Sequence, residues 1–429
     1  MITIIACVFS YAIPVCYDDF IPPVRKEIIN MVRLVGTVSR GIRCPIVREG
    51  DDIVAFVTDA VLKAAKDPEW GFKVRDNDII AVTEAVVGRA QGNYATIDEI
   101  AADVKAKTGG ETIGVLFPIL SRNRFAICLK GIAKGVKKII LQLSYPSDEV
   151  GNQLVSQEEV DALGLNPFTD ILNSEEYRAK FGYKTHAFTG VDYVAYYQQL
   201  IQDMGTEVEI IFGNDPRAIA KYTDVAIAAD IHTAPRTKKM LKDAGLKVVL
   251  GLDDILSASV NGSGYNKDYG LLGSNKATEE KVKLFPRDAQ DVVDQIQKNI
   301  YEATGKHVEV MVYGDGGFKD PVCGIWEFAD PVVSPFYTAG LDGTPNELKI
   351  KYLADNDFKA LSGDALKNAI AEKIKAKQGS LVGNMASQGT TPRRLTDLIG
   401  SLSDLTSGSG DKGTPVVYIQ GYFDNYATE

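Results

Sequence analysis

The sequence predicts an α/β protein with mixed sheets and, over residues 145–255, an inserted βαβαβ subdomain. Short apolar runs bounded by turn residues alternate with stretches of helical periodicity. Between Val208 and Leu250 this alternation is regular, as in a parallel sheet. Several loops next to strands gather Gly, Asn, Ser and Asp, and open α/β sheets bind ligands at their strand ends.

Taken in order, residues 51–66 carry apolar side chains at helical spacing behind the acidic cap Asp51-Asp52. Asp76-Asn-Asp78 marks a turn and Ile79–Val82 a buried strand. Glu111–Leu120 reads as a strand. Arg124–Lys138 reads as a helix with basic residues in its last turn, where they suit the helix dipole, and Ile139–Leu143 as a strand. In the inserted region, Val208–Phe212, Val225–Ala229 and Lys247–Leu250 are strands. Pro216–Tyr222 and Thr237–Ala244 are the helices between them. Residues 261–275 are rich in Gly, Asn and Ser. Residues 288–303 form a helix, Val308–Tyr313 a strand, and Asp364–Lys377 an exposed helix of alternating charge. Arg393–Leu405 is helical and Val416–Gly421 strand-like.

The length of 429 residues implies two domains or one large elaborated one. A net charge of −10 argues against broad binding of nucleic acid or anionic membrane, while leaving room for a local basic pocket. The five cysteines include no CxxC pair, so neither a zinc site nor a disulfide framework follows, and a reducing cytoplasm fits best. Met1–Tyr17 is apolar but lacks a basic flank and is broken by Pro14, which does not suit a spanning helix. Residues 1–30 are expected to be an extension outside the domain, with a cleaved signal sequence as the alternative. The rest is assigned to a core of residues 31–144 and 256–429 around the insertion.

Four loops carry candidate chemistry. They are Thr83-Glu84 with Arg89–Gly92, Gly270–Asn275, Tyr313–Gly317 and Ser407–Thr414. In the last, glycines let backbone N–H groups converge on an anion and Lys412 adds a point charge, as in a phosphate cradle; the other reading is a flexible surface loop. Asp315 is a candidate ligand for a hard cation, or else a turn former. Asn275 suits a phosphate or a metal-bound water, or equally an Asx-turn. Arg287 precedes a helix, where a cation opposes the dipole unless it faces an anion; the alternative is an outward-pointing arginine. His232 is a candidate acid/base or a structural histidine.

In order along the chain, several blocks resemble the coenzyme F420-0:γ-glutamyl ligase family. They are Gly41-Ile-Arg-Cys-Pro-Ile-Val-Arg-Glu-Gly-Asp-Asp52, Asp78–Gly92, Gly273-Ser-Asn275, Leu284-Phe-Pro-Arg-Asp288, Val310–Gly317 and Leu395–Gly421. The resemblance implies a homodimeric ligase that joins L-glutamate to coenzyme F420-0, with GTP supplying an acyl phosphate and Mg²⁺ or Mn²⁺ assisting. ATP is the alternative nucleotide, and a non-catalytic nucleotide or metabolite sensor is the alternative function. It places GTP contacts on Ile42, Arg43, Cys44, Pro45, Glu84, Ala85, Arg89 and Asn275. Further contacts fall on Ser407, Gly408, Gly410, Lys412, Gly413 and Thr414. Asp315 and Arg287 are the expected catalytic residues, and Asp315 with Asp411 the expected metal ligands. Three family metal positions depart from the pattern: Leu272 and Gly314 stand where it has Asp, and Ser409 where it has an acidic or amide ligand.

Overall fold

The computed structural model describes residues 35–317, 324–326, 330–387, 393–407 and 410–428, so the expected extension over residues 1–30 lies outside the described residues. The strands of the described residues are β1 (Val38–Ile42), β2 (Ile79–Thr83), β3 (Tyr94–Thr96), β4 (Thr112–Leu116), β5 (Lys138–Leu143), β6 (Leu172–Asn173) and β7 (Glu207–Phe212). They continue with β8 (Val225–Ala228), β9 (Val248–Gly251), β10 (Asn275–Thr278), β11 (Lys281–Lys283), β12 (Glu309–Tyr313), β13 (Phe336–Tyr337) and β14 (Val416–Gln420). The fold is mixed α/β with parallel and antiparallel pairs.

The chain divides into two units. The larger comprises Ser39–Pro345 and Thr391–Tyr422. The described residues of the smaller are mainly 346–387; its helices Ile350–Asp355 and Gly363–Lys375 bury Leu353 and Ile370.

In the larger unit the first sheet runs β1-β14-β2-β12-β13. β2 is central, parallel to β12 and antiparallel to β14. Residues Ile79 to Val82 are all fully buried, which explains a continuous apolar run rather than an alternating one. Helices Ile53–Ala65 and Gln290–Thr304 contribute Val57, Val61, Val293 and Ile296 to the core with Ile80 and Val310. Asp52 caps the first helix by accepting from the Val54 and Ala55 N–H groups, both at 3.0 Å. Buried Asp78 fastens β14 to the start of β2, accepting from the Tyr418 hydroxyl at 2.6 Å.

The second sheet runs β6-β7-β5-β4-β8-β9, parallel throughout except at the edge strand β6. Its centre, β4 and β5, precedes Tyr145, so residues 145–255 do not make a sheet of their own. The strands read as a consecutive βαβαβ are also not all neighbours: β7 and β8 lie on opposite sides of the β5-β4 pair. Buried apolar runs look alike whichever side of a sheet they join, and strand order is a long-range property. The chain winds outward from β4 through β5 to β7, then crosses to β8 and β9. This doubly wound order has its switch point between β4 and β8.

A third, antiparallel sheet, β10-β11-β3, joins the others. β3 runs directly into helix Ile97–Thr108, whose start is fixed by a reciprocal capping box between Thr96 and Glu99. The helix expected over Arg124–Lys138 is shorter, Ala126–Lys134, because Arg124 is drawn into an ion-pair cluster and Lys138 opens β5.

Candidate functional site

The parallel pairing of β2 and β12 registers Thr83 against Tyr313 at their carboxyl ends. The next residues, Glu84 and Gly314-Asp315, therefore leave the sheet side by side. Three other segments add charge there: Arg124 from the approach to helix Ala126–Lys134, Asp330 from ahead of β13, and Asp404 from helix Leu395–Ser407. Arg124 spans two carboxylates, donating from Nη1 to Asp330 Oδ1 and from Nη2 to Asp315 Oδ2, each at 2.7 Å. The other Asp330 oxygen accepts the Asp315 backbone N–H at 2.7 Å. Asp404 accepts the Gly316 N–H at 3.1 Å. Glu84 takes Lys283 Nζ at 2.7 Å, with both side chains under 10% exposed.

Burial dominates the electrostatics of this cluster. It pushes Asp315 up to about 7; Asp330 pushes the same way and Arg124 opposes. Burial also raises Asp404 against the Gly316 N–H, and raises Glu84 against Lys283. Burial works against the Arg124 charge, but Asp330 and Asp315 outweigh it and hold the guanidinium firmly protonated.

A cleft of about 570 Å³ lies next to this cluster. It gathers Ala85, Arg89 and Asn275, three positions expected to contact nucleotide. Arg48, Lys276, Lys281 and Lys283 also line it with the carboxylate Glu49; of the five cationic side chains, Lys276 is paired with Glu279 and Lys283 with Glu84. The two hairpin strands β10 and β11 supply three of these lysines. Lys283 is the link, since it lines the cleft while its ammonium holds Glu84.

The remaining expected contacts lie elsewhere. Ile42, Arg43 and Pro45 line a different cleft of about 800 Å³, with Phe56 and Trp70 on its wall. Cys44 donates its N–H to Gly413 O at 2.9 Å, bringing this segment to the glycine loop. Burial pushes its thiol up to about 11, so it is no thiolate nucleophile. Thr414 Oγ1 donates to Ser407 O at 3.0 Å and closes the loop; Gly410, Lys412 and Gly413 are exposed on it, and Gly408 lies outside the described residues.

The Arg287 guanidinium bonds to the Asn93 side chain and lies over the Tyr265 ring at 5.0 Å, and its backbone is clasped by Gln91, which ties it to the loop after helix Glu84–Ala90. Asp411 is exposed, whereas Asp315 makes its contacts with Arg124. Among the described residues no group of three or more His, Cys, Asp or Glu side chains is arranged to hold a metal ion. The donor set at Asp315 therefore does not fit the expected divalent ion, because a guanidinium already sits between the two carboxylates best placed to bind it. His232 lines a third cleft, of about 700 Å³, which reaches Asp330 and also carries Glu149, Tyr269, Trp326 and Arg394.

Sequence reasoning missed Arg124, Asp330, Asp404 and Lys283. Arg124, in Ser121-Arg-Asn-Arg124, had a usable signal as a basic residue ahead of a helix, but nothing local marked the other three.

A family model described as F420-0:Gamma-glutamyl ligase matches residues 41–421. No curated protein matches the chain. Among the described residues no helix is long and apolar enough to cross a membrane.

Proposed function

The chain belongs to the F420-0:gamma-glutamyl ligase family, and on that premise we propose that it joins L-glutamate, or a similar amino acid, to a carboxylate such as coenzyme F420-0 at the expense of GTP. The observation that carries this reading is the cationic cleft. It collects Ala85, Arg89 and Asn275 from distant parts of the chain and leads through Lys283 to the carboxylate cluster. Arg48, Arg89 and Lys281, with Lys276 and Lys283 paired to Glu279 and Glu84, make one small surface of a chain with net charge −10 locally basic, which suits a polyphosphate.

In the proposed reaction the acceptor carboxylate oxygen attacks the γ-phosphorus and GDP leaves. The glutamate nitrogen then attacks the acyl carbon, phosphate departs, and the nitrogen loses a proton. Arg89, Lys281 and Lys283 hold the phosphates and offset charge as the phosphoryl group moves. We assign the acceptance of the amine proton to Asp315, whose carboxyl is raised by burial and by Asp330 against Arg124. The site is proposed to be completed in a homodimer, because Ile42, Arg43 and Pro45 lie in a different cleft from Arg89 and Asn275 of the same chain.

The test is phosphate release from GTP, and in parallel from ATP, with Mg²⁺ or Mn²⁺, L-glutamate and F420-0. Release that requires both acceptor and amino acid, with the amide product seen by mass spectrometry, supports the reading. One specific observation favours the second reading, a nucleotide-binding protein without turnover: Arg124 engages the Asp315 carboxylate. Nucleotide binding with no acceptor-dependent release would establish it.

A further inference from the structure

We infer that Arg124 is the resident cation of the carboxylate cluster, a fixed guanidinium filling the place between Asp315 and Asp330 that a divalent ion would otherwise take. Three observations converge on this. Arg124 reaches one oxygen of each carboxylate at 2.7 Å, with its side chain only 14% exposed and that of Asp330 only 1% exposed. The second Asp330 oxygen is committed to the Asp315 N–H, so both ends of that carboxylate are already used. Gly314 gives the third. A Cβ at this position would fall on the Asp330 carboxylate, so a strand-end side chain at residue 314 and the present position of Asp330 exclude one another.

The local chemistry follows. The carboxylate at the end of β12 is supplied by residue 330 and not by the strand itself, and it is paired with a permanently charged partner. A guanidinium and a hard divalent ion compete for the same oxygen lone pairs. Mg²⁺ needs its oxygens at about 2.0–2.1 Å in a near-octahedral shell, which a planar five-donor group wedged between the two carboxylates prevents. Arg124 cannot shed its proton to make way. Asp315 and Asp330 thus hold Arg124 in place, and their own need for a cation is met within the chain. The inference concerns this carboxylate pair alone and does not rest on the proposed reaction.

The experiment is a Mn²⁺ titration of the full chain followed by electron paramagnetic resonance, without nucleotide or substrates. The proteins compared are the wild type, Asp315→Asn, Arg124→Ala and the Arg124→Ala/Asp315→Asn double variant. The wild type and Asp315→Asn are expected to bind Mn²⁺ alike. Arg124→Ala is expected to gain a site at least about tenfold tighter, which the added Asp315→Asn removes. Wild-type binding that Asp315→Asn weakens tenfold or more overturns the inference, as does a folded Arg124→Ala protein that gains no site. Should Arg124→Ala fail to fold, the comparison of wild type with Asp315→Asn still decides. Metal occupancy is read without turnover, so failure of this inference and failure of the ligase reading are separate results.

Discussion

At the scale of single residues, the site is governed by charges that the fold buries and must then match. Lys283 and Glu84 form the clearest pair. A buried ion pair adds little net stability, but removing one partner strands the other. Lys283→Met is therefore expected to cost roughly 3–5 kcal/mol in urea denaturation at pH 7, and Lys283→Met/Glu84→Leu to recover most of it. The loss should shrink as the pH falls, because the stranded Glu84 can then take up a proton. Asp230, the second residue after β8, is fully buried. Its Oδ2 accepts from the Thr233 and Thr237 hydroxyls, while Oδ1 has no hydrogen-bond partner among the described residues. Burial pushes its pKa up to about 6 against those two hydroxyls. The unfolded chain ionises near 3.9, so between about pH 4 and 6 the folded state holds a proton that the unfolded state has lost. That contribution is complete below about pH 4 and disappears as the pH rises through about 6. Wild-type stability should fall by roughly 1–3 kcal/mol over this window relative to Asp230→Asn, as measured by denaturation midpoints at each pH.

At the scale of elements, what the sequence reveals depends on how local each element's cause is. Helix Ile53–Ala65 was legible because Asp52 and a 3.6-residue apolar period lie within it, and β2 because four consecutive buried residues mark a central strand. Of the loops flanking the sheets, the one after β2 and the one leading into β10 come together, so that Ala85, Arg89 and Asn275 share a cleft. The carboxylate cluster was not legible: Asp330, ahead of β13, and Asp404, on helix Leu395–Ser407, sit 15 and 89 residues further along the chain than Asp315. The pairing of Arg287 with Asn93, nearly two hundred positions away, was equally out of reach of local reasoning. Gly131 shows packing overriding local preference. It lies inside helix Ala126–Lys134, where alanine would be favoured by about 1 kcal/mol on propensity alone. Yet a Cβ there would stand 2.6 Å from the Cβ and Cγ2 of Ile100, on the helix packed against it. Overpacking of that kind costs about 1–3 kcal/mol, so Gly131→Ala is expected to be net destabilising. An unchanged or raised thermal midpoint would show that the two helices can part without cost.

At the scale of the whole molecule, the question is whether one chain makes a complete nucleotide site. The expected contacts fall into two groups on the same chain, Arg43 with Ile42 and Pro45 in one cleft, and Arg89 with Ala85 and Asn275 in the other. A homodimer that places the first group of one protomer against the second group of its partner would build two mixed sites, as two-fold symmetry requires. Arg43→Ala and Arg89→Ala would then each damage both sites of their own homodimer. On mixing and subunit exchange, half of the dimers become hybrids, and in each hybrid one site carries both substitutions while the other carries neither. GTP binding or GTP-dependent phosphate release should therefore return to about a quarter of the wild-type level. A site contained within one chain predicts no recovery on mixing, whatever the oligomeric state. The same mixture separates a binding role from a catalytic one: recovered GTP binding without acceptor-dependent phosphate release would keep the shared site and discard the ligase chemistry.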